Sequence, residues 1–430
     1  MKIGVLGFGN VASATVQKFM SNRDLIASKT DVQMQIVKVA TRTAARAEGQ
    51  VPEGCEIVTD CWAVVDDPTI DVVIELIGGT DIARDLVMRA IANKKHIITA
   101  NKALLAHHGE AIFELADQMG VCVLFEGAVA VSIPIIKTLK ESVAASRVTS
   151  LIGILNGTSN YILSQMSQHG ASFDEALAQA QQKGYAEADP TLDVNGEDAA
   201  HKITLLSSLA FGVPVDFSAV DFKGVTEVEA VDIAAAARLG YQLKLIAQTQ
   251  LQGDEVWVSV APALVPNASM LAHVNGSMNG IALTGDLFGS AFLYGSGAGG
   301  VQTASAVLAD LIDLAQGSRG GCYVGLPNMG FKRSAIKTRP YLAADARQSR
   351  FYFRMRVEDK VGVLAEVSSI FARANVSVST IFQDEGEGDL ADIIITTHGI
   401  STGQVQKVMP ALQASAASGH GIVIYPALDE

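Results

Sequence analysis

The chain has 430 residues, of which 49% are hydrophobic, and its formal net charge is −13. This composition predicts a globular protein of roughly three domains, and the charge argues against a nucleic-acid partner, which requires clustered lysine and arginine. Neither a signal pattern after Met1 nor a membrane-length apolar run is present, so we expect a cytoplasmic protein. The four cysteines lack metal-binding spacing, and we expect reduced thiols.

The chain opens with an apolar strand, a glycine-containing turn and a helical pattern. Residues 7–12 read GFGNVA, a form of the dinucleotide fingerprint in which Gly7 allows a tight turn, Gly9 a close approach of pyrophosphate and Ala12 close packing. A tight turn that holds no ligand is the alternative. We predict a dinucleotide site formed by Gly7, Phe8, Gly9, Asn10 and Val11.

The second predicted strand, QMQIVKVAT, ends without the acidic residue that binds a ribose 2′-hydroxyl. It continues into Arg42, whose guanidinium can pair with a 2′-phosphate, so NADP is favoured and NAD stays possible. The alternative is that Arg42 is a solvated loop charge. Further strands, DVVIELIGG, HIITAN and VCVLFEG, alternate with helices and predict a doubly wound parallel sheet of the Rossmann type.

Two residues follow strands of this predicted sheet. Lys102 lies at the carboxyl end of a strand, where such sheets bind ligands, and could reach nicotinamide or substrate; a surface lysine at a helix start is the alternative. Glu126 opens EGAVAVSIPII. Its carboxylate, with nearby backbone carbonyls, would fit a monovalent cation, or it could serve as a capping or hinge carboxylate.

The middle of the chain predicts an α+β region with its own sheet. Its elements are a strand and helix in SRVTSLIGILNGTSNYIL, a helix from Asp232 to Gln248 and the strand VWVSVAPALV. Residues 156–160, NGTSN, suit a substrate carboxylate or a helix cap. The glycine-rich stretch 295–300 either closes over the cofactor or forms a flexible joint.

An acidic stretch, GYAEADPTLDVNGEDAAHK, leads into a helix that we expect to start near Asn195 or Gly196. On that helix Asp198 and Lys202 are four residues apart and project from one face, where they could share a small polar substrate. The alternative is an ordinary salt bridge on a solvated face. We predict that the chemistry takes place here.

The C-terminal segment follows a polar linker and reads as βαββαβ. Its elements are FYFRMRVEDK, VGVLAEVSSIFARAN, VSVSTIFQDEG, LADIIITTHGI, a helix from Val405 to Ala416, and GIVIYPA. The pattern and the turn at residues 359–364 resemble the ACT domain, an amino-acid-sensing module. An effector would then bind near Gly362, and a dimerisation module that binds nothing is the alternative.

As a set, the motifs of residues 1–325 resemble the homoserine dehydrogenase family in its monofunctional, ACT-containing form. The ordered matches are GFGNVA, ELIGG, ITANKALLA, EGAVAVSIPII, GILNGTSNYIL, GYAEADPTLDVNGEDAAHK and GSGAGGVQTASAV. The resemblance implies reversible NAD(P)-dependent conversion of L-aspartate 4-semialdehyde to L-homoserine, in threonine and methionine biosynthesis, with feedback by threonine. It also implies a homodimer or homotetramer.

The resemblance also assigns residues. Lys202 matches the proposed proton-transfer residue and Lys102 a lysine near cofactor and substrate, and we expect both to be catalytic. Glu187 and Asp198 match substrate-binding carboxylates, and we expect Asp193 of the same acidic stretch to join them. Gly184 and Gly299 fall on cofactor-contacting positions. A sodium site built largely from backbone carbonyls corresponds to Glu126, Val129, Val131 and Ile133. The family usually has a Gly-Gly pair where this chain has Val131-Ser132.

We therefore expect a dinucleotide-binding domain over residues 1–130, against which 300–325 pack. A catalytic and oligomerisation domain follows over 131–300, then a linker over 326–349 and an ACT domain over 350–430. The alternatives are a catalytically silent amino-acid sensor and a dehydrogenase of another amino-acid derivative. The combination of Lys102, Glu187, Asp198 and Lys202 argues against the sensor.

Overall fold

The computed structural model of the chain describes residues 1–319, 322–323, 325–385, 389–415 and 421–429. Its strands are β1 (Lys2–Leu6), β2 (Gln35–Ala40), β3 (Glu56–Val58), β4 (Val72–Glu75), β5 (His96–Thr99), β6 (Val123–Leu124), β7 (Val148–Ile154), β8 (Asp221–Phe222), β9 (Tyr241–Gln252), β10 (Glu255–Pro266), β11 (Met278–Gly285), β12 (Gly289–Ser296), β13 (Ser318–Arg319), β14 (Cys322–Tyr323), β15 (Gln348–Glu358), β16 (Val378–Glu385), β17 (Leu390–Thr397), β18 (Ile400–Ser401) and β19 (Ile422–Ala427).

The helices alternate with these strands in the first third of the chain. They are α1 (Asn10–Ser21), α2 (Arg23–Ala27), α3 (Trp62–Val65), α4 (Asp81–Ala92), α5 (Lys102–Met119), α6 (Ile135–Lys137), α7 (Gly157–His169), α8 (Phe173–Gln182), α9 (Thr191–Val194), α10 (Glu197–Phe211), α11 (Ala230–Arg238), α12 (Gly300–Gly317), α13 (Val363–Arg373) and α14 (Thr402–Ala414). None of the helices in the described part of the chain has the length and apolar character needed to span a membrane.

The chain divides into two compact units, and the first comprises residues 1–157, 198–221 and 278–339. Its main sheet is parallel with the strand order β3-β2-β1-β4-β5-β6. The strand order reverses between β1 and β4, and in such sheets ligands bind beyond the carboxyl ends of the strands at this point. The predicted Rossmann-type sheet is confirmed.

The hydrophobic core of the first unit contains residues from β1, α1 and α12. On α1 the residues Ala12, Val16 and Phe19 lie on one face, as the spacing of an amphipathic helix requires, and they are buried. Leu308 and Leu311 of α12 belong to the same cluster. A late segment of the chain therefore packs against the first strand and helix.

Three further strands of this unit pair in antiparallel orientation in the order β12-β11-β7. Gly280 of β11 lies opposite Ile154, the last residue of β7. The sheet fixes where β7 ends, and the two residues that follow it contribute to the site described below.

The second unit comprises residues 158–197, 222–277 and the part of the chain from 340 onward. The predicted βαββαβ order is confirmed as β15, α13, β16, β17, α14 and β19, with antiparallel strands in the order β19-β15-β17-β16. Phe353, Phe371 and Ile393 form part of its core. Gly386 and Ala416, the predicted last residues of the second strand and second helix, lie outside the described residues.

The predicted helix from Asp232 to Gln248 is wrong beyond Arg238. The helix α11 ends there, Gly240 follows with a φ of +84°, and the chain continues as β9, antiparallel to β10. Residues 243–249 of β9 are all buried. A strand buried on both faces has no alternation of polar and apolar residues, so its sequence cannot be told from that of a buried helix.

Candidate functional site

A buried carboxylate with three nitrogen partners forms the centre of the site. Asp198 is 8% exposed, and its Oδ2 accepts hydrogen bonds from Lys202 Nζ at 2.6 Å and Asn156 Nδ2 at 2.8 Å. Lys102 Nζ lies 3.2 Å from Oδ1. The Asp198–Lys202 salt bridge therefore exists, but both groups are buried, so the alternative of a salt bridge on a solvated face is wrong.

Three elements of the first unit position these groups. Lys102 is the first residue of α5, immediately after the cap Asn101, whose side chain accepts from the Leu104 N–H. Asp198 and Lys202 lie one turn apart on α10, which starts within two residues of the predicted position. Lys202 Nζ also donates to the carbonyl of Leu155 at 2.7 Å, directly beyond β7.

The charges at this centre do not cancel. Burial alone would raise the pKa of Asp198, but the charges of Lys202 and Lys102 and the hydrogen bonds from Lys202 and Asn156 hold that pKa below its ordinary value. One carboxylate thus faces two ammonium groups, and the Lys102 side chain retains 36% exposure. Such a centre can donate protons and hydrogen bonds to a substrate oxygen that gains negative charge.

The predicted nucleotide turn has room for a phosphate. Gly7 has a φ of +95°, and a Cβ there would lie 2.8 Å from the Leu76 carbonyl oxygen. Gly9 is the N-cap residue of α1 and offers no side chain to the first N–H groups of the helix. Apart from its own chain neighbours, no atom of the described residues lies within 4 Å of the position of a Cβ on Gly9. A helix start that is open and uncapped is suited to an anion. The Phe8 side chain lies in the core, so only its backbone can contribute.

The second glycine-rich stretch lies against the first. Gly299 has a φ of +126° and precedes α12, and a Cβ on Gly300 would lie 3.2 Å from the Asn10 carbonyl oxygen. Arg42 is exposed just beyond β2. These residues of the first unit surround the carboxyl end of β1 and fit a dinucleotide.

One buried acid at the same sheet edge was not predicted. Glu75 ends β4 and is fully buried; its carboxylate accepts from Thr99 Oγ1 at 2.6 Å and from the Ile77 N–H at 2.9 Å. Burial raises the pKa of Glu75, and these hydrogen bonds oppose the rise. An acid directly after an apolar strand, in VVIELIGG, is the sequence signal that could have identified it.

The Glu126 carboxylate acts as a helix cap in this structure. Its oxygens accept from the N–H groups of Ile136 at 3.1 Å and Lys137 at 2.9 Å, while burial raises its pKa to about 7. The positive φ of this segment falls at Ala130, at +50°, and not at Val131. The valine that replaces glycine is therefore not strained.

Asp310 of α12 lies beside this segment. Its carboxylate accepts the Glu126 N–H at 2.9 Å. Burial, together with the charge of Glu126, raises the pKa of Asp310 to about 8. Two carboxyl groups with raised pKa values therefore meet in the interior of the first unit.

The other predicted site residues belong to the second unit. Gly184 follows α8 with a φ of +72°, and Glu187 is exposed. Ser159 Oγ donates to the carbonyl of Asp193 at 2.8 Å, and Thr158 Oγ1 donates to that of Tyr185 at 2.8 Å. Two hydroxyl groups of the NGTSN stretch therefore bind backbone carbonyls of the acidic stretch 184–202.

Asn156, the first residue of that stretch, makes a contact that was not predicted. Its side-chain amide donates to Asp198 Oδ2 at 2.8 Å. Because Asn156 directly precedes α7, the substrate contact and the helix cap stay predictions. In the C-terminal segment Gly362 precedes α13 with a φ of +99°. Apart from its own chain neighbours, none of the described residues has an atom within 4 Å of a Cβ placed there.

Sequence profiles of known families match most of the chain. The profile described as homoserine dehydrogenase matches residues 134–312, and the profile of the homoserine dehydrogenase NAD-binding domain matches residues 7–126. The ACT domain profile matches residues 351–417. These matches follow the order of the motifs in the sequence.

Whole-length relatives give the same result. Homoserine dehydrogenases of Neisseria gonorrhoeae and Pseudomonas aeruginosa are each 39% identical to the chain, over 96% of this chain and 95% of the relative. The crystal structure of a homoserine dehydrogenase from Thiobacillus denitrificans has a TM-score of 0.94 at 39% identity, and the alignment covers 100% of this chain and 98% of that chain. Similarity over the full length of the chain confirms the resemblance.

Proposed function

The chain belongs to the homoserine dehydrogenase family of NAD(P)-dependent oxidoreductases, and on that premise we propose how its site works. The reaction is the reversible conversion of L-aspartate 4-semialdehyde to L-homoserine, which supplies threonine and methionine biosynthesis. The observation that carries the proposal is the contact of Lys102 and Lys202 with the buried Asp198.

Lys202 transfers the proton in this proposal. In the direction of reduction its Nζ donates to the aldehyde oxygen as that oxygen becomes an alcohol, and in oxidation it accepts the proton. The bound nicotinamide cofactor supplies or receives the hydride. Asp198 and the Leu155 carbonyl hold Lys202 Nζ through hydrogen bonds of 2.6 and 2.7 Å, which orients the proton donor. Lys102 adds a second positive charge next to the reacting oxygen.

The substrate ammonium needs acidic partners. We assign this role to Glu187, Asp193 and Asp198. The carboxylate of Asp198 has a pKa below its ordinary value because of Lys202 and Lys102, so it is charged at neutral pH. Glu187 is exposed and can therefore change position when substrate binds.

The cofactor assignment rests on the two glycine-rich stretches of the first unit. Residues 7–11 hold the pyrophosphate, Gly299 and Gly184 contact the cofactor, and Lys102 lies near the nicotinamide. Arg42 is exposed beyond β2 and pairs with a 2′-phosphate, so NADP is preferred over NAD.

A monovalent cation, such as sodium, is assigned to Glu126 and the carbonyls of Val129, Val131 and Ile133. The raised pKa of Glu126, about 7, supports this role because a nearby cation would stabilise the charged carboxylate. The Ile133 carbonyl already accepts from the Ile135 N–H at 2.7 Å. A carbonyl oxygen has two lone pairs and can serve both partners.

Regulation is assigned to the C-terminal segment. Threonine binds near Gly362, where the backbone is open, and inhibits turnover. The functional regions are residues 1–130 with 300–325, residues 131–300, the linker 326–349 and the ACT domain 350–430. The enzyme acts in the cytoplasm as a homodimer or homotetramer.

The test measures NADPH oxidation with aspartate semialdehyde, with and without threonine. The wild-type chain should turn over and be inhibited, and Lys202→Ala should lose turnover while NADPH affinity stays nearly unchanged. Lys223→Ala, which removes a partly exposed lysine, is the control and should behave as the wild type. Normal turnover in Lys202→Ala would remove the proton-transfer assignment.

A further inference from the structure

Two histidine rings meet near the site but outside its ionic centre. His107 of α5 and His201 of α10 place their Nε2 atoms 3.2 Å apart, with the rings edge to face. Phe217 packs against both, at centroid distances of 4.8 and 4.7 Å. His201 is 3% exposed and His107 is exposed. One ring is therefore fixed inside the fold, and the other remains open to solvent.

The distance between the two nitrogens fits a shared ion. Two imidazole nitrogens, each about 2.0–2.1 Å from a tetrahedral zinc ion, lie about 3.3 Å apart. The observed 3.2 Å is close to this value. A hydrogen bond between one protonated and one unprotonated nitrogen also fits this distance, so the distance alone does not decide between the two.

The helix that carries His201 offers a third donor. Glu197 is the first residue of α10, one turn before His201, and side chains four residues apart lie on the same face of a helix. One ligand atom from each of Glu197, His107 and His201 lies within 4.8 Å of those of the other two. Two imidazoles and a carboxylate are a donor set that suits zinc and similar divalent transition ions. Solvent would complete the coordination on the side of the exposed His107.

We propose that His107, His201 and Glu197 bind one divalent transition-metal ion of the zinc type. The ion would join α5, which begins with Lys102, to the turn of α10 that carries Asp198 and Lys202. Its role is to hold these two helices together, and it takes no part in hydride or proton transfer. The proposal does not depend on the reaction assigned above.

The experiment titrates the full-length, chelator-treated protein with Co²⁺, followed by its visible absorption bands, and then displaces Co²⁺ with Zn²⁺. We expect one ion per chain. His107→Ala should weaken binding by more than about tenfold, because even residues that only support metal ligands contribute 10–100-fold to affinity. Zn²⁺ should raise the melting temperature of the wild type but not of His107→Ala.

The neighbouring His108 provides the matched control, since His108→Ala removes the next histidine on α5 and should bind Co²⁺ as the wild type does. His107 is exposed, so its substitution leaves the fold intact; Glu197→Gln is the second variant and should also weaken binding. Equal binding by His107→Ala and wild type, or no binding by the wild type at millimolar Co²⁺, would overturn the proposal. Lys202→Ala should bind Co²⁺ normally, which separates this result from a failure of the proposed reaction.

Discussion

At the scale of single residues, Asp198 determines the charge of the site. It is 8% exposed and interacts with Lys202, Lys102 and Asn156. Because removing one member of a buried charged group leaves its partners without their counter-charge, such a change typically costs about 3–5 kcal/mol. The residue thus contributes to stability as well as to function.

We expect Asp198→Asn to lower both turnover and the free energy of unfolding. The pKa of Asp198 is lowered in the folded state, so its contribution to stability is present above the unfolded value of about 3.9 and is lost only as the pH falls through the lower, folded value. The difference in urea stability between variant and wild type should therefore be constant from pH 5 to 8. The control substitution is Asp174→Asn, because Asp174 is exposed. If the stability difference between Asp198→Asn and the wild type varied between pH 5 and 8, the lowered pKa of Asp198 would be wrong.

For Asp310 we expect the contribution to the free energy of unfolding to depend on pH in the opposite direction. Its folded pKa is raised to about 8, so the stability that it contributes is full below its unfolded value of about 3.9 and is lost as the pH rises through about 8. Asp310→Asn keeps an acceptor for the Glu126 N–H and removes this titration. Relative to the wild type, the variant should gain stability as the pH rises from 5 to 9, measured by urea unfolding at each pH.

The control for this prediction is a carboxylate that does not act on Asp310. Asp174→Asn removes an exposed carboxylate of α8 and should keep the pH dependence of the wild type. If Asp310→Asn and wild type lost stability in parallel between pH 5 and 9, the raised pKa of Asp310 would be wrong.

At the scale of elements, the two glycines of the turn between β1 and α1 have different roles. Gly7 is needed for the backbone conformation of the turn, and Gly9 leaves space for a ligand. Gly7 has a φ of +95° and faces the Leu76 carbonyl, whereas Gly9 has a φ of −84° and open space around it. An alanine with positive φ costs about 1–2 kcal/mol before any clash is counted. Alanine at position 9 keeps a negative φ, and its Cβ contacts none of the described residues beyond its chain neighbours.

We therefore expect substitution of glycine by alanine to have different effects at positions 7 and 9. Gly7→Ala should lower the melting temperature, while Gly9→Ala should leave it nearly unchanged and raise the dissociation constant for NADPH by at least about tenfold, because a methyl group enters the space of the pyrophosphate. Thermal unfolding and fluorescence titration with NADPH measure the two effects. Unchanged NADPH affinity in Gly9→Ala would place the pyrophosphate elsewhere.

The elements also show what could be predicted from sequence. The parallel sheet was predictable because its strands are short apolar runs that alternate with helices, and the βαββαβ segment because its pattern is regular. The strand β9 was not, because it is buried on both faces. In the site, Asp198 and Lys202 share one helix and could be paired from their spacing. The contact between Asn156 and Asp198 joins residues 42 positions apart on different elements, and local pattern carries no signal for it.

At the scale of the whole molecule, a buried ionic group links the ACT strand β15 to α11 within the second unit. Arg354 donates from Nε to Asp232 Oδ1 at 2.7 Å and from Nη2 to Glu229 Oε1 at 2.7 Å. The Tyr352 hydroxyl donates to Asp232 at 3.1 Å. The side chains of Arg354 and Asp232 are 3% and 0% exposed. This contact connects the proposed effector module to a helix that precedes β9.

Arg354→Met should destabilise the protein and weaken its response to threonine. The Asp232 carboxylate would stay buried without its guanidinium, at a cost of about 3–5 kcal/mol. The ACT domain would lose its buried charged contact with α11, while the exposed Arg238–Asp384 pair remains. Urea unfolding and threonine inhibition curves measure the two effects. Arg350→Met, which removes a 49% exposed arginine of the same strand, should change neither.

A second variant distinguishes the unpaired charge from a general loss of packing. Arg354→Met combined with Asp232→Leu removes both charges, and replacing a buried ion pair by apolar residues is often close to neutral. We expect this double variant to recover most of the lost stability while the inhibition by threonine stays weak. Recovery of full inhibition together with stability would show that the ionic contact supports the fold alone, and that the effector signal reaches the active site by another route.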